Sequence, residues 1–266
     1  MSQIHLTEIH LYPVKSLAGF ELQHSRLDGF GLLHDRRWMV VDGEGRFLSQ
    51  RELPRMTLIH AALEGNGITL TAPDMLPLKV RRPDGESDRI AVQIWRDRCE
   101  GTPAGRDADE WLSRFLGVAC RLVHMGDDVF RQVDQRYAGP EHRAAFSDGF
   151  PLLLISQGSL DDLNSRLDEP LPMSRFRPNL VVSGCDPYAE DGWSRIRIGA
   201  LELQVVKPCS RCSITTVDPL TAERGSEPLK TLASYRRRDN QVYFGQNVLH
   251  GQPGEISVGM SVEVFL

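Results

Sequence analysis

"QIHLTEIHLYPV", residues 3–14, alternates apolar and polar side chains as a half-buried β-strand does. Pro13, which has no amide to offer a ladder, interrupts it. The same style continues. "RRWMVVD" runs into Asp42-Gly43-Glu44-Gly45 and then "RFLSQ", a hairpin pattern. "TLIHAAL", "GITLTA" and "RIAVQIW" read as further strands, with Gly65-Asn66-Gly67 and Pro83-Asp84-Gly85 as turns. After Ser174 come "NLVVSG", "RIRIG", "LELQVV", "SITTV", "QVYFGQ" and "SVEVFL". Three helices interrupt the strands. "RDADEWLSRFLG" gathers Trp111, Leu112, Phe115 and Leu116 on one face, and Gly117 suits the C′ position. "SQGSLDDLNSRL" is expected to be capped by Ser159, and "LKTLASYRRR" is the third. Strand after strand with turn signals points to a mainly β chain with some helices (α+β) and a barrel-like arrangement. The polar, turn-prone stretch 131–150 is the expected boundary between units 1–130 and 131–266, with about the first 40 residues packing on the second unit.

The chain has 266 residues and a formal net charge of −5. Sequence-independent nucleic-acid binding draws on a surplus of Lys and Arg, so it ranks low here. The five cysteines, Cys99, Cys120, Cys185, Cys209 and Cys212, are odd in number and irregular in spacing, which implies no disulfide framework. The N-terminus carries no basic, then apolar, leader pattern, and no run approaches the ~18 apolar residues of a membrane span. The expectation is a cytoplasmic protein with reduced thiols and no membrane partner.

Chemistry-bearing residues are scattered. In "KPCSRCSITTVDP", residues 207–219, two cysteines flank Ser210 and Arg211. A redox C-x-x-C usually opens a helix, whereas Cys212 opens onto a strand-like "SITTV". A zinc site usually needs four ligands, and no second pair follows. Two small apolar fillers is the plainest reading. One thiolate bonded to a soft metal held mainly by a non-protein group is the remaining one, with Arg211 helping to hold the thiolate. "YPVKSLAG" sets Lys15 and Ser16 in a loop, with Gly19 for backbone freedom; "LLHDRRW" carries Asp35, Arg36 and Arg37; "FSDGFP" offers Ser147, Asp148 and Gly149; "RFRPNL" offers Arg177 and Asn179. Arginine forks suit phosphate, and Asp and Asn suit the edge of a heterocycle. Each segment alone reads equally well as a solvated loop. His5 and His10, five apart on one strand, are expected to face opposite sides, and "YRRRD" to be an exposed helix end. The four tryptophans read as core or interface fillers.

Taken in order, "YPVKSLAG", "LLHDRRWMVVD", "SQRELPRMTLI", "FRPNLVVSG", "CSRCSITTVDP" and "FGQNV" resemble MOSC-domain proteins with a MOSC N-terminal β-barrel region, the family of the mitochondrial amidoxime-reducing component and its bacterial relatives. The resemblance implies a β-barrel MOSC domain plus a smaller N-terminal barrel-like domain. It implies the molybdenum cofactor (Mo-molybdopterin), with Cys212, not Cys209, as metal ligand and catalytic residue. By similarity Lys15, Ser16, Arg36, Asp148, Gly149, Arg177, Asn179, Ser210 and Arg211 would hold the cofactor, with Asn247 near the pocket. The implied reaction is two-electron reduction of hydroxylamines, amidoximes or N-hydroxylated bases. No general acid is obvious at the metal; Asp218 and Asp148 are nominees only, and water could supply the protons. The chain ends at Leu266 without a ferredoxin-like extension, so electrons are expected from a separate ferredoxin, flavodoxin or cytochrome b5-like protein with its reductase. A rival reading is a non-catalytic cofactor-binding or sulfur-carrier module, since MOSC domains also occur in cofactor sulfurases; no pyridoxal-dependent sulfurase domain is expected in this sequence, a weak argument against that reading because a partner could supply the sulfur. A third is a thiol–disulfide protein using Cys209 and Cys212.

Overall fold

A computed structural model describes residues 3–84 and 88–266. Gly85, the last residue of the expected Pro83–Gly85 turn, lies outside the described residues. The chain is mainly β. Among the described residues, the largest sheet runs in the order Val262–Phe265, Arg195–Ile198, Leu201–Ser210, Gln241–His250, Leu152–Ser156, Leu180–Ser183, His5–Leu11, Phe20–Leu22. Its two ends meet. Leu6 N donates to Met260 O at 2.9 Å, and Val262 N to Ile4 O at 2.8 Å, so the sheet curls into a barrel. Leu6, Ile9, Leu154, Leu180, Val182, Ile196, Leu203 and Val248 are fully buried in one core cluster.

The opening strand, His5–Leu11, carries a β-bulge between Leu6 and Glu8. The bulge explains the phase of its pattern: Leu6, Ile9 and Leu11 are all buried although the first spacing is three. It also corrects the expectation for the histidines. With the phase reset, His5 and His10 both alternate with the core residues, and His10 Nε2 pairs with Glu8 Oε2 at 2.6 Å. Beyond Pro13 the chain leaves the barrel and joins a second sheet: Lys15 N donates to Trp38 O at 2.8 Å, and Trp38 N to Pro13 O at 3.0 Å. That sheet orders Trp38–Val41, Arg121–His124, Asp97–Pro103 and Ile90–Ile94, and packs on two further clusters that include Val40, Leu112, Leu122, Met39 and Ile94. The "RFLSQ" arm forms only isolated bridges (Val41 with Phe47, Arg46 with Gln93) rather than a strand.

Helix α1, Arg106–Leu116, ends on Gly117 at φ 74°, a left-handed conformation that glycine adopts without a Cβ penalty. Helix α2, Gln157–Asn164, is capped one turn earlier than expected: Ser156 Oγ, not Ser159, accepts the Ser159 amide at 3.1 Å. Both hydroxyls are fully buried, and Ser159 Oγ donates to Glu190 Oε1 at 2.8 Å. Ser156→Ala is therefore expected to cost about 1–2 kcal/mol, read as a shift in urea midpoint without change in m. Helix α3, Leu229–Tyr235, is shorter than the pattern suggested. Arg236 turns back to Asp191 at 2.6 Å and stacks on Tyr188, so only Arg237 and Arg238 of that arginine run are exposed.

Two elements differ in kind from the sequence reading. Leu152–Ser156 is a central strand, antiparallel to Gln241–His250 and parallel to Leu180–Ser183, with α2 in the crossover. Its unbroken apolar run has no alternation to display because both faces are covered. "SITTV" is not a strand: Ser213–Thr216 form a 3-10 turn with Cys212 at its N-cap. Thr215 N and Oγ1 both donate to Cys212 O, at 3.2 and 3.0 Å, and this tightens the backbone into the turn.

Candidate functional site

Five loops and one strand meet at one end of the barrel. Lys15 and Ser16 follow the opening strand, Arg36 precedes Trp38, and Asp148 and Gly149 precede the strand at Leu152. Arg177 and Asn179 follow a 3-10 turn at Met173–Phe176, and Ser210, Arg211 and Cys212 end the strand from Leu201. Asn247 projects from Gln241–His250. All eleven line one pocket. Ser16, Arg36 and Arg177 hold positive φ of 64°, 47° and 56°, a costly conformation for residues with a side chain, so surrounding contacts must impose it.

Those contacts are visible. Tyr12 is buried between two guanidiniums, with Arg36 at 4.4 Å and Arg177 at 4.2 Å from its ring centroid. Burial pushes its phenol up to about 12. Arg36 donates through Nη1 to Asp35 and to Asn179 Oδ1 at 2.9 Å, and through Nη2 to Arg177 O at 3.1 Å. Asp35, 2% exposed, also accepts the Tyr12 amide at 2.9 Å. Arg177 Nη1 donates to Leu17 O at 2.6 Å. A Cβ on Gly19 would meet the Tyr12 ring at 2.3 Å, so glycine there answers to close packing rather than to an unusual φ.

Lys15 pairs with Asp148. Burial pulls the ammonium down to about 8, even though Asp148 supports its charge. Desolvation works against an ionised Asp148, yet Lys15 and the Trp95 indole N–H, donating at 3.2 Å, hold its carboxyl below the usual carboxylate range. Asp148 is set by a residue that sequence reading missed. Buried Arg131 donates to Ala145 O, Ser147 O and Asp148 O at 2.8, 2.7 and 3.0 Å, and through Nε to Asp97 at 2.9 Å. The stretch read as a boundary is thus stapled where it meets the pocket.

The sulfurs are distinguished by their arginines. Arg211 does not serve Cys212: its Nη1 lies 3.1 Å from Cys209 Sγ, and its Nη2 donates to Phe176 O. The guanidinium that reaches Cys212 Sγ, at 3.7 Å, belongs to Arg51, from "SQRELPRM". Arg224 Nη2 clasps Arg51 O at 2.5 Å, tying that loop to the residues after Cys212. Both thiols are free, as are Cys99, Cys120 and Cys185. Burial raises the last three, to about 11 for Cys99, which marks them as packing residues. The acid nominees fare poorly. Asp218 accepts Arg175 Nη2 at 2.8 Å and the amides of Leu220 and Thr221, and is held low.

The lining suits an anion with a soft metal. Four cations, Lys15, Arg36, Arg177 and Arg211, face one carboxylate, Asp148. Arg211 Nε and Ser147 Oγ are buried without partners, donors left over for a ligand. A Cβ on Gly149 would meet no protein atom, so the backbone stands clear for close approach. By contrast, the amides of Asn179 and Asn247 are engaged by Arg36 and by the Lys207 carbonyl, so they shape the wall. If Lys15 supplies anion charge, sulfate affinity should fall about five- to tenfold from pH 7 to 9, as its proton leaves near 8. Lys15→Met should bind more weakly and lose that pH dependence; calorimetric titration with sulfate, whose charge is constant over this range, reads both.

Residues 3–119 match the MOSC N-terminal beta barrel domain and residues 141–263 the MOSC domain. The chain is 36% identical over 283 residues to mitochondrial amidoxime-reducing component 1 of Mus musculus, covering 96% of this chain and 80% of that one. It is 37% identical over 274 residues to its Homo sapiens counterpart, covering 96% and 81%. It is also 34% identical to the molybdenum cofactor sulfurase of Solanum lycopersicum, over 90% of this chain and 32% of that protein.

Proposed function

Because this chain belongs to the family of MOSC-domain proteins with a MOSC N-terminal β-barrel domain, the family of the mitochondrial amidoxime-reducing components, we propose that it is a molybdenum-cofactor-dependent reductase of N-hydroxylated compounds. The observation that carries the reading is the free thiol of Cys212, the one of two in the pocket that Arg51 reaches, sharing that pocket with four cationic side chains drawn from residues 15 to 211. When bound, the cofactor supplies the two-electron couple. The overall change is R–NH–OH + 2 e⁻ + 2 H⁺ → R–NH₂ + H₂O, with electrons from a separate redox protein such as a ferredoxin, a flavodoxin or a cytochrome b5-like protein.

The protein's own residues then have distinct tasks. Cys212 Sγ is the metal ligand, with Arg51 as its counter-charge. Arg36 and Arg177, locked around Tyr12, hold the anionic end of the cofactor without having to be ordered on binding. Burial pulls the Lys15 ammonium down toward neutrality, and we nominate its Nζ as the proton donor in the pocket. Asp148 holds that ammonium in place and stays ionised itself.

A second reading has support from the sulfurase similarity and from Cys209, whose sulfur lies beside Arg211 in the same pocket: a module that carries the cofactor or its sulfur. Protein made in a host that synthesises the cofactor separates the two. Molybdenum near one per chain, with reduction of benzamidoxime or hydroxylaminopurine by an artificial reductant, supports the reductase. Molybdenum without turnover favours the carrier, and no molybdenum overturns both.

A further inference from the structure

Three of the four tryptophans fill cores as expected: Trp38, Trp111 and Trp193 are 4, 9 and 7% exposed. Trp95 is not a filler. It is 47% exposed and sits at φ 55° in the turn between Ile90–Ile94 and Asp97–Pro103. Arg51 stacks on the ring at 4.1 Å, Phe47 meets it edge-on at 5.1 Å, and Nε1–H donates to Asp148. A non-glycine residue held at positive φ by three side-chain contacts, and left about half exposed, is a backbone outlier of the kind that clusters at ligand sites.

The open ring lines a cleft of about 720 Å³, a size suited to small organic ligands. Asp148, Gly149 and Phe150 are common to this cleft and to the anion pocket. Arg51 spans from one to the other, with one nitrogen 3.7 Å from Cys212 Sγ and its guanidinium carbon 4.1 Å from the Trp95 ring centroid. The cleft is also lined by Phe150 and Lys207, whose ammonium lies 4.8 Å from the Tyr137 ring. Two acids of the cleft are already matched, Asp97 by Arg131 and Asp134 by Arg136, while Arg96 and Lys207 line it as cations.

We propose that this cleft is the substrate bay, and that Trp95 selects N-hydroxylated compounds carrying a flat aromatic ring, which stacks on the indole while the N–O group reaches toward Cys212. The assignment rests on the reductase reading above, and its test separates the two. Stacking on an aromatic side chain is worth roughly five- to a hundredfold in affinity. In molybdenum-loaded protein, the ratio of KM for benzamidoxime to KM for acetamidoxime should rise about tenfold in Trp95→Leu and stay close to wild type in Trp95→Phe. Molybdenum per chain in each variant reports whether the neighbouring pocket is intact. A second readout needs no turnover. Iodide quenching of tryptophan fluorescence comes chiefly from Trp95, and benzamidine, but not acetamidine, should protect it. An unchanged KM ratio in Trp95→Leu, or no protection by benzamidine, overturns the bay. Failure of wild type to reduce either amidoxime overturns the reductase reading instead, and the iodide experiment then decides the bay alone.

Discussion

Cys212→Ala protein will fold and will fail to reduce any N-hydroxylated substrate, with turnover lower by on the order of a thousandfold or more. Cys212 is partly exposed and contributes no core packing, so its truncation should leave the urea midpoint almost unmoved. What it removes is the sulfur that Arg51 addresses at 3.7 Å. Arg211, Arg36, Arg177 and Lys15 remain, so the variant should still bind phosphate, and the deficit should appear in molybdenum redox chemistry rather than in anion affinity. Cys209→Ala provides the contrast. Its sulfur lies beside Arg211 and not beside Arg51, so turnover should stay within about tenfold of wild type. If Cys209→Ala alone eliminates activity and Cys212→Ala does not, the ligand assignment is wrong and the sulfur-carrier reading gains. Molybdenum per chain, turnover with benzamidoxime and thermal unfolding, measured on both variants, check the prediction.

Arg36→Met should be the most destabilising single change at the site, by about 3–5 kcal/mol. The arginine neutralises Asp35, which is 2% exposed and whose carboxyl burial already pushes upward. It also covers one face of Tyr12 and donates to Asn179 and to the Arg177 carbonyl. Methionine keeps part of the volume and leaves a buried carboxylate with no cation, bonded only to the Tyr12 amide and the Asn179 side chain. The pH dependence identifies the cause. A carboxyl with a folded pKa above its unfolded value binds a proton more readily in the folded state. Stability therefore falls as pH rises through that raised value and is regained on acidification. The penalty should be full at pH 7 and should shrink as pH falls toward 4. Adding Asp35→Asn to Arg36→Met should recover much of the loss at pH 7, which urea titrations of wild type, the two single variants and the double variant would show. Molybdenum retention should not recover in the double variant, since the guanidinium itself is missing.

Much of the fold was legible because it rests on local physics. The opening strand shows its apolar period, and α1 shows a helical face closed by Gly117. The unbroken run at Leu152–Ser156 was illegible for a physical reason: a strand covered on both faces has no polar side to alternate with. "SITTV" misled because β-branched residues favour strands, while the carbonyl of Cys212, bonded twice by Thr215, makes a turn. The eleven residues named from separated segments line one pocket. Arg131, Arg51 and Trp95 were not named with them, although Arg51 stands inside a quoted segment, because a lone arginine or tryptophan has no local signature of what it will touch.

The sequence by itself determined the class of the chain and the identity of its chemical parts: a β-rich barrel protein, a soft thiol and a set of basic residues in separated loops. Those follow from period, turn residues and side-chain type, which are properties of neighbours along the chain. Only the tertiary structure decided which arginine faces which sulfur, which carboxylate stays charged, and that one tryptophan of four is left open beside the pocket. Those depend on distances across the fold, such as Arg51 to Cys212 across 161 positions of chain, and on how far burial removes water from each charge.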